Sequence, residues 1–436
     1  MSQEIARESG STAGRRLPRA LSPFRSRAYR RLAAAMSLVT FASGVWIVAL
    51  VWEVIRVGGG PGQLSVVSTA GAAGTLIPAL LAGVVADRVP QKWIMIAVTA
   101  NELISMGVIS LLSLNGLTRL WHLAVAALVI GMGLAFAYPA YSAWLPALVP
   151  ESDLLAVNGF EGMMRPTLNQ AVGPGVAGMV VGAASPGAAF AVAAGASLVG
   201  LAALTLVPRT PVRGQPTVSG GTGTVAVIAT ALRDVREGFV YMVRTPWLLA
   251  TLLFASLLVL TMMGPFEVLI PFVIKDRLGG DAGDHAAVLA AFGIGGALAS
   301  LVMASRPMPR RYLTFMNLMW GIGCLPLALI GLVGEVWMVV VIGFVLGAAF
   351  SAPMVIWGTL LQRRVPAHLL GRVSSLDFFV SISLMPVSMA LAGPVSEWIG
   401  LRTTFAVAGL VPGVISIVAI VWARLPQDEL AHPLRD

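Results

Sequence analysis

Along most of this chain, apolar residues run nearly unbroken for some twenty positions at a time, interrupted by short stretches where Gly, Pro, Arg and Asp gather. Twelve such runs can be marked, at about 32–56, 64–86, 93–114, 120–144, 157–183, 186–207, 246–273, 285–304, 312–333, 336–360, 374–397 and 402–423. A helix of about 20 residues covers the hydrocarbon of a bilayer. The runs lack the alternation of barrel strands, and a backbone in lipid must satisfy its polar groups within its own segment. The pattern therefore predicts an all-α membrane protein with twelve transmembrane helices.

A Pro/Gly/Ser/Thr-rich stretch from Pro208 to Thr224 divides the runs into two groups of six. After it, Ile228, Leu232, Val235, Phe239 and Met242 recur at helical spacing, with Arg233, Asp234, Arg236 and Glu237 around the other face. That predicts an amphipathic helix on the membrane surface. The expected organisation is an Arg-rich N-terminal segment (1–31), a first six-helix half (32–207), a linker with its surface helix (208–245), a second half (246–423) and a tail (424–436). Glu53 and Glu267 stand 214 positions apart, as do Pro139 and Pro353, while Pro150 and Pro366 stand 216 apart. These recurrences predict two pseudo-symmetric repeats.

Composition agrees: 57% of residues are hydrophobic and 11% charged, with a mean hydropathy of +0.86, where a soluble domain carries about a quarter charged residues. The net charge of +9 is distributed unevenly. With both termini cytoplasmic, that side collects Arg30, Arg31, Arg88, Lys92, Arg209, Arg244, Arg306, Arg310, Arg311, Arg363, Arg364, Arg372 and Arg424, leaving Arg56, Arg119, Lys275, Arg277 and Arg402 outside. This asymmetry is the positive-inside pattern. It accounts for the basic balance without nucleic acid; Arg25, Arg27, Arg30 and Arg31 are expected against anionic lipid headgroups. The single cysteine, Cys324, and four scattered histidines offer no metal site, and no phosphate-cradling Gly-rich loop or nucleophile constellation is present. The sequence thus predicts neither an enzyme nor a bound cofactor.

Between the second and third runs stands Gly83-Val-Val-Ala-Asp87-Arg88-Val-Pro90-Gln91-Lys92, where a small residue permits close helix approach and charges meet the return to water. Further marks are Tyr29-Arg30-Arg31-Leu32, Leu148-Val-Pro150 with Leu155 and Asn158, Gly173-Pro174 with Gly178, Arg236-Glu237-Gly238-Phe239, and Gln362-Arg-Arg-Val-Pro366 with Gly371-Arg372-Val-Ser374. In these residues the chain resembles the major facilitator superfamily, and within it the drug–proton antiporter branch of macrolide, multidrug and enterobactin exporters. The resemblance implies a bundle with a central cavity opening alternately to each side. It gives Gly83, Asp87, Arg88 and Lys92 a gating role, Asp87 meeting the start of the eleventh helix near Arg372. It makes Gly173, Pro174 and Gly178 packing residues of the fifth helix. Many branch members carry an acid just after the Ser-Gly of helix one, whereas Val45 follows Ser43-Gly44 here.

An ionisable side chain at the bilayer centre costs about 2.5–3.5 kcal/mol, so each calls for a reason. Glu161 and Arg165 are one helical turn apart and can neutralise each other; Asn169 extends their face beside Gln170, and with Trp357 these residues are candidates for a substrate cavity. Glu102 lies deep in the third run, and desolvation of a carboxyl suits it to carrying a proton. Glu267, after Gly264-Pro265, and Glu53, one turn before Arg56, are further proton-coupling candidates. Asp377 is expected to be a structural partner of a nearby arginine. Met163, Met164, Met262, Met263 and Met385 offer adaptable apolar surface. The expected protein is a monomeric, proton-coupled exporter of amphipathic small molecules in a bacterial cell membrane. A metabolite uptake permease and a non-transporting membrane sensor or assembly partner are the alternatives.

Overall fold

In a computed structural model of the chain, the described residues are 23–150, 153–209 and 236–434. Most of the 208–245 linker, including Ile228, Leu232, Arg233 and Asp234, lies outside them. The described residues are helical and contain no strand. Helices α1 (Arg27–Arg56), α2 (Pro61–Arg88), α3 (Gln91–Leu114) and α4 (Leu120–Leu148) are followed by α5 (Leu154–Pro166), a π segment Thr167–Val172, α6 (Gly173–Ala183) and α7 (Pro186–Thr205). Residues 236–244 form α8. Then come α9 (Pro246–Gly264), a π segment Pro265–Leu269, α10 (Ile270–Phe272), a π segment Val273–Arg277, α11 (Ala282–Ala304), α12 (Tyr312–Ile322), α13 (Leu325–Leu329), α14 (Val336–Arg364), α15 (Ala367–Ser383), α16 (Met385–Ile399), α17 (Leu401–Trp422) and α18 (Leu425–Ala431).

Among the described residues, ten helices are long and apolar enough to cross a membrane. The two remaining runs marked in the sequence coincide with α2 and with α5–α6. Helix starts follow local chemistry. The Ser26 hydroxyl accepts the Tyr29 N–H at the head of α1, Ser185 does the same for Ala188 before α7, and Asp281 accepts the N–H groups of Gly283 and Asp284 before α11. Proline opens α2, α7 and α9, where its missing N–H is not needed.

Helices α1–α7 pack mainly on one another: α1 lies against α6 and α7, α2 against α4, and α3 against α4 and α7. Helices α9–α17 form a second set, with α11 on α14 and α9 against α15, α16 and α17. The sets meet chiefly where α2 crosses α16 and α6 crosses α11. At both crossings glycine permits backbone contact: a Cβ on Gly393 would lie 2.6 Å from the Gly62 Cα, and one on Gly178 would lie 2.9 Å from the Ala282 carbonyl oxygen. The Ser65 hydroxyl accepts the Gly393 N–H across the first crossing at 2.8 Å. These contacts lie at the start of α2 and α11, at the middle of α6 and in the second half of α16, so the bundle is closed toward the end where α2 and α11 begin.

Glu53 belongs to this framework. Its carboxylate is fully buried, accepts two bonds from Arg56 at 2.7 and 2.8 Å and one from the Ser113 hydroxyl at 3.0 Å, and so ties α1 to α3. Arg56 is partly exposed. Removing Arg56 leaves a buried carboxylate unpaired, a change that typically costs about 3–5 kcal/mol, whereas Gln at position 53 still accepts hydrogen bonds. Thermal unfolding in neutral detergent should show a large drop in midpoint for Arg56→Ala and a small one for Glu53→Gln. Equal drops would overturn this assignment.

Candidate functional site

Between the two helix sets lies a cavity of about 960 Å³. Two prolines shape its walls. Pro166 and Pro265 each lack the N–H that an α-helix needs four residues on, and a π segment follows or begins at each. A π turn holds an extra residue and re-aims its side chains, a feature common at functional sites. Here the first segment lines the cavity with Asn169 and Gln170, and the second with Phe266 and Glu267. The remaining wall is apolar and pliant: Met163 from α5, Met262 and Met263 from α9, Phe292 from α11, and Phe350 and Met354 from α14. From α1 only Ile47 contributes, and Val45 is fully buried. The lining continues along α11 to Ala304, toward the end opposite the closed crossings.

Glu267 is the one ionisable side chain lining this cavity, and it has no ion-pair partner among the described residues. In an apolar wall a lone carboxylate facing a void is suited to a cation or a proton. Asn169, Gln170, Thr167, Ser300 and Ser351 add neutral hydrogen-bonding groups to the same lining.

Other residues singled out in the sequence lie elsewhere. Glu161 pairs with Arg165 at 3.5 Å and accepts the Tyr141 hydroxyl, while the Arg165 guanidinium stacks 5.4 Å from the Tyr141 ring, so this pair faces the α4–α5 seam. Trp357 is buried and donates its indole N–H to Asp377 at 3.0 Å; the Ser381 hydroxyl donates to the same carboxylate. The partner of Asp377 is thus a tryptophan rather than an arginine, and Arg372 bonds Glu237 instead. Glu102 is 2% exposed on the face of α3 that also buries Thr99 and Met106, and its Oε2 has no hydrogen-bond partner among the described residues. Gly173 packs against Gly44 of α1, Pro174 is buried beside it, and Gly178 lies at the α6–α11 crossing.

In the signature loop, α2 runs to Arg88, and the side chains of Gly83, Asp87 and Arg88 lie outside the described residues. Lys92 donates to the carbonyls of Thr205 and Val207 at 2.7 and 2.5 Å, and Arg31 donates to Leu206 at 2.6 Å. Both cations cap the carboxyl end of α7, where the helix dipole favours positive charge.

The profile of a family described as a transmembrane secretion effector of the major facilitator type matches residues 19–433. The chain belongs to the major facilitator superfamily. It is therefore a multi-pass transporter of the cell membrane that handles a small molecule, not an enzyme. The multidrug efflux pump Tap of Mycolicibacterium fortuitum is 27% identical over 399 residues, covering 89% of this chain and 94% of its own. Macrolide efflux protein A of Streptococcus pyogenes is 23% identical, covering 88% of this chain and 92% of its own. Among solved structures, a POT family transporter superimposes with a TM-score of 0.70 at 14% identity, over 91% of this chain and 96% of that one. At that identity the likeness is one of fold.

His285 was not singled out in the sequence. It is 3% exposed on α11, one residue before the Ala286 that packs on Gly178, and its Nδ1 has no hydrogen-bond partner among the described residues. Its signal was available: it is a titratable ring at the start of an apolar run.

Proposed function

We propose that this major facilitator transporter is a proton-driven exporter of amphipathic, cationic small molecules that works by alternating access. The observation that carries this reading is the cavity of about 960 Å³, walled by both helix sets and holding Glu267 as its one ionisable lining residue among those described. In this reading the chain crosses the membrane twelve times as two six-helix repeats with both termini in the cytoplasm. The end of α14, with Arg363 and Arg364, and the segment after α11, with Arg306, Arg310 and Arg311, then face the cytoplasm, and the closed crossings face outward. The described conformation is accordingly the inward-open one, ready to take substrate from the cytoplasm or inner leaflet. Glu267 is assigned to substrate and proton exchange, Glu102 to a second proton site, and Asp87 to the gate that secures the outward-open state. The efflux pumps among its relatives support the direction of transport.

Efflux of ethidium from energised cells tests the proposal. The wild-type protein should export the dye, a protonophore should abolish export, and Asp87→Asn should lower it at least tenfold with unchanged membrane yield. Net accumulation of the dye would favour an uptake permease, and absence of flux across a broad cation panel would sink the transport mechanism proposed here.

A further inference from the structure

A second cavity, of about 490 Å³, lies away from the central one, where α8 meets α9 and α14 meets the tail beyond α18. Its lining includes Tyr241, Arg244, Trp247, Arg363, Arg364 and His432. Three arginines thus line a concavity that contains, among the described residues, one carboxylate, Asp428, and that carboxylate is engaged by Arg364 at 2.5 Å. The Arg364 guanidinium is also fixed over the Trp247 ring, 4.7 Å from its centre, so its position is set before any ligand arrives. Arg244 and Arg363 are exposed at the rim. The first turn of α9 lines the same cavity through Thr245, Pro246 and Trp247, adding the positive end of a 19-residue helix.

The pocket is built by parts of the chain that must be held together. The Tyr312 hydroxyl donates to the His432 carbonyl at 2.8 Å. Glu429, 1% exposed, accepts the N–H groups of Leu313 and Thr314 at the head of α12, at 2.9 and 3.1 Å. These bonds seat the tail against the helix bundle. Because α9 enters the apolar layer at its first turn and α14 leaves it at its last, the cavity sits at headgroup depth, with Tyr241 and Trp247 at the level where such rings concentrate.

We propose that this cavity is a phosphate-binding site, occupied in the membrane by the headgroup phosphate of an anionic lipid. It is distinct from the drug cavity and from the N-terminal arginine cluster. Guanidinium groups on two sides match phosphate oxygens, and basic pockets between membrane helices on the cytoplasmic side take such headgroups. Bound there, the phosphate would join the α8–α9 junction to α14 and the tail.

Native mass spectrometry of the full chain in neutral detergent, titrated with phosphatidylglycerol or phosphatidylcholine, tests this, with inorganic phosphate as competitor. Phosphatidylglycerol should be retained at least tenfold better than phosphatidylcholine. Arg244→Ala with Arg363→Ala should remove that preference, while Arg310→Ala with Arg311→Ala, exposed elsewhere on the same side, should leave it intact. If the double variant unfolds early, Arg244→Glu alone supplies the same readout. Displacement of the lipid by millimolar phosphate would keep the site but assign it to a free anion. Binding that is unchanged in the Arg244/Arg363 variant, or equal for the two lipids with no binding of phosphate, would overturn the proposal.

Discussion

Glu267→Gln should lower the affinity of the purified transporter for a permanent monocation such as tetraphenylphosphonium at least tenfold, and abolish its export. Glu267 lies on a π segment in a wall of methionine and phenylalanine, with no cation paired to it among the described residues. At an effective dielectric of about 20, a unit charge 4 Å away interacts by about 4 kcal/mol. Even a third of that is a factor of about ten in affinity. Gln is nearly isosteric, so the cavity should keep its shape and the unfolding midpoint should stay put. A neutral macrolide separates two roles for the same carboxylate. If Glu267 only attracts the cation, export of the macrolide survives; if it also carries the driving proton, both exports fail while substrate exchange without a gradient persists. Acidification should weaken cation binding in the wild type, because a protonated carboxyl offers no charge, and should have little effect on Glu267→Gln. Unchanged cation affinity in the variant would remove Glu267 from the site.

The membrane-crossing pattern was legible because lipid imposes it residue by residue: a segment in hydrocarbon must be apolar throughout and must bond its own backbone. The cavity was partly legible for the same reason. Asn169, Gln170 and Glu267 are polar in apolar runs, which calls for a reason, and all three line the cavity. What a single run does not encode is where its polar residue points. Glu53 and Glu267 occupy matching places 214 positions apart, yet the first is closed off by Arg56 and Ser113 and the second faces the void. Pro265 makes part of the difference, since the π segment beginning there resets the helical register ahead of Glu267. Likewise Arg165 stands one turn and Glu161 two turns from Asn169, but Tyr141 of α4 draws them to another seam. The arginine pocket was invisible along the chain because Tyr241, Arg364 and Asp428 are brought together only by tertiary packing.

Gly393→Leu should abolish transport and open the closed end of the bundle. At that crossing the obstacle to a side chain is backbone: a Cβ on Gly393 would come within 2.6 Å of the Gly62 Cα and 2.7 Å of the Gly62 nitrogen. Main-chain atoms cannot rotate away as a side chain can, so α2 and α16 must part, and overpacking of this kind typically costs about 1–3 kcal/mol. In a rigid protein that would appear only as lost stability. In an alternating transporter the strain falls on the state closed at this end, and a bias of this size shifts the ratio of two states by roughly 5- to 150-fold. The labelling rate of Ser65→Cys by a membrane-impermeant maleimide reads the difference, because Ser65 is 1% exposed and bonded to Gly393 in the closed form. It should rise at least fivefold when Gly393→Leu is added. Gly178→Leu, which meets Ala282 and Ala286 at the other crossing, should act in the same direction. Gly195→Leu on α7, where an added Cβ finds nothing within 4 Å, should leave labelling and transport near wild-type values. Slow labelling in Gly393→Leu together with normal export would show that this end need not open, and would remove these two crossings from the transport cycle.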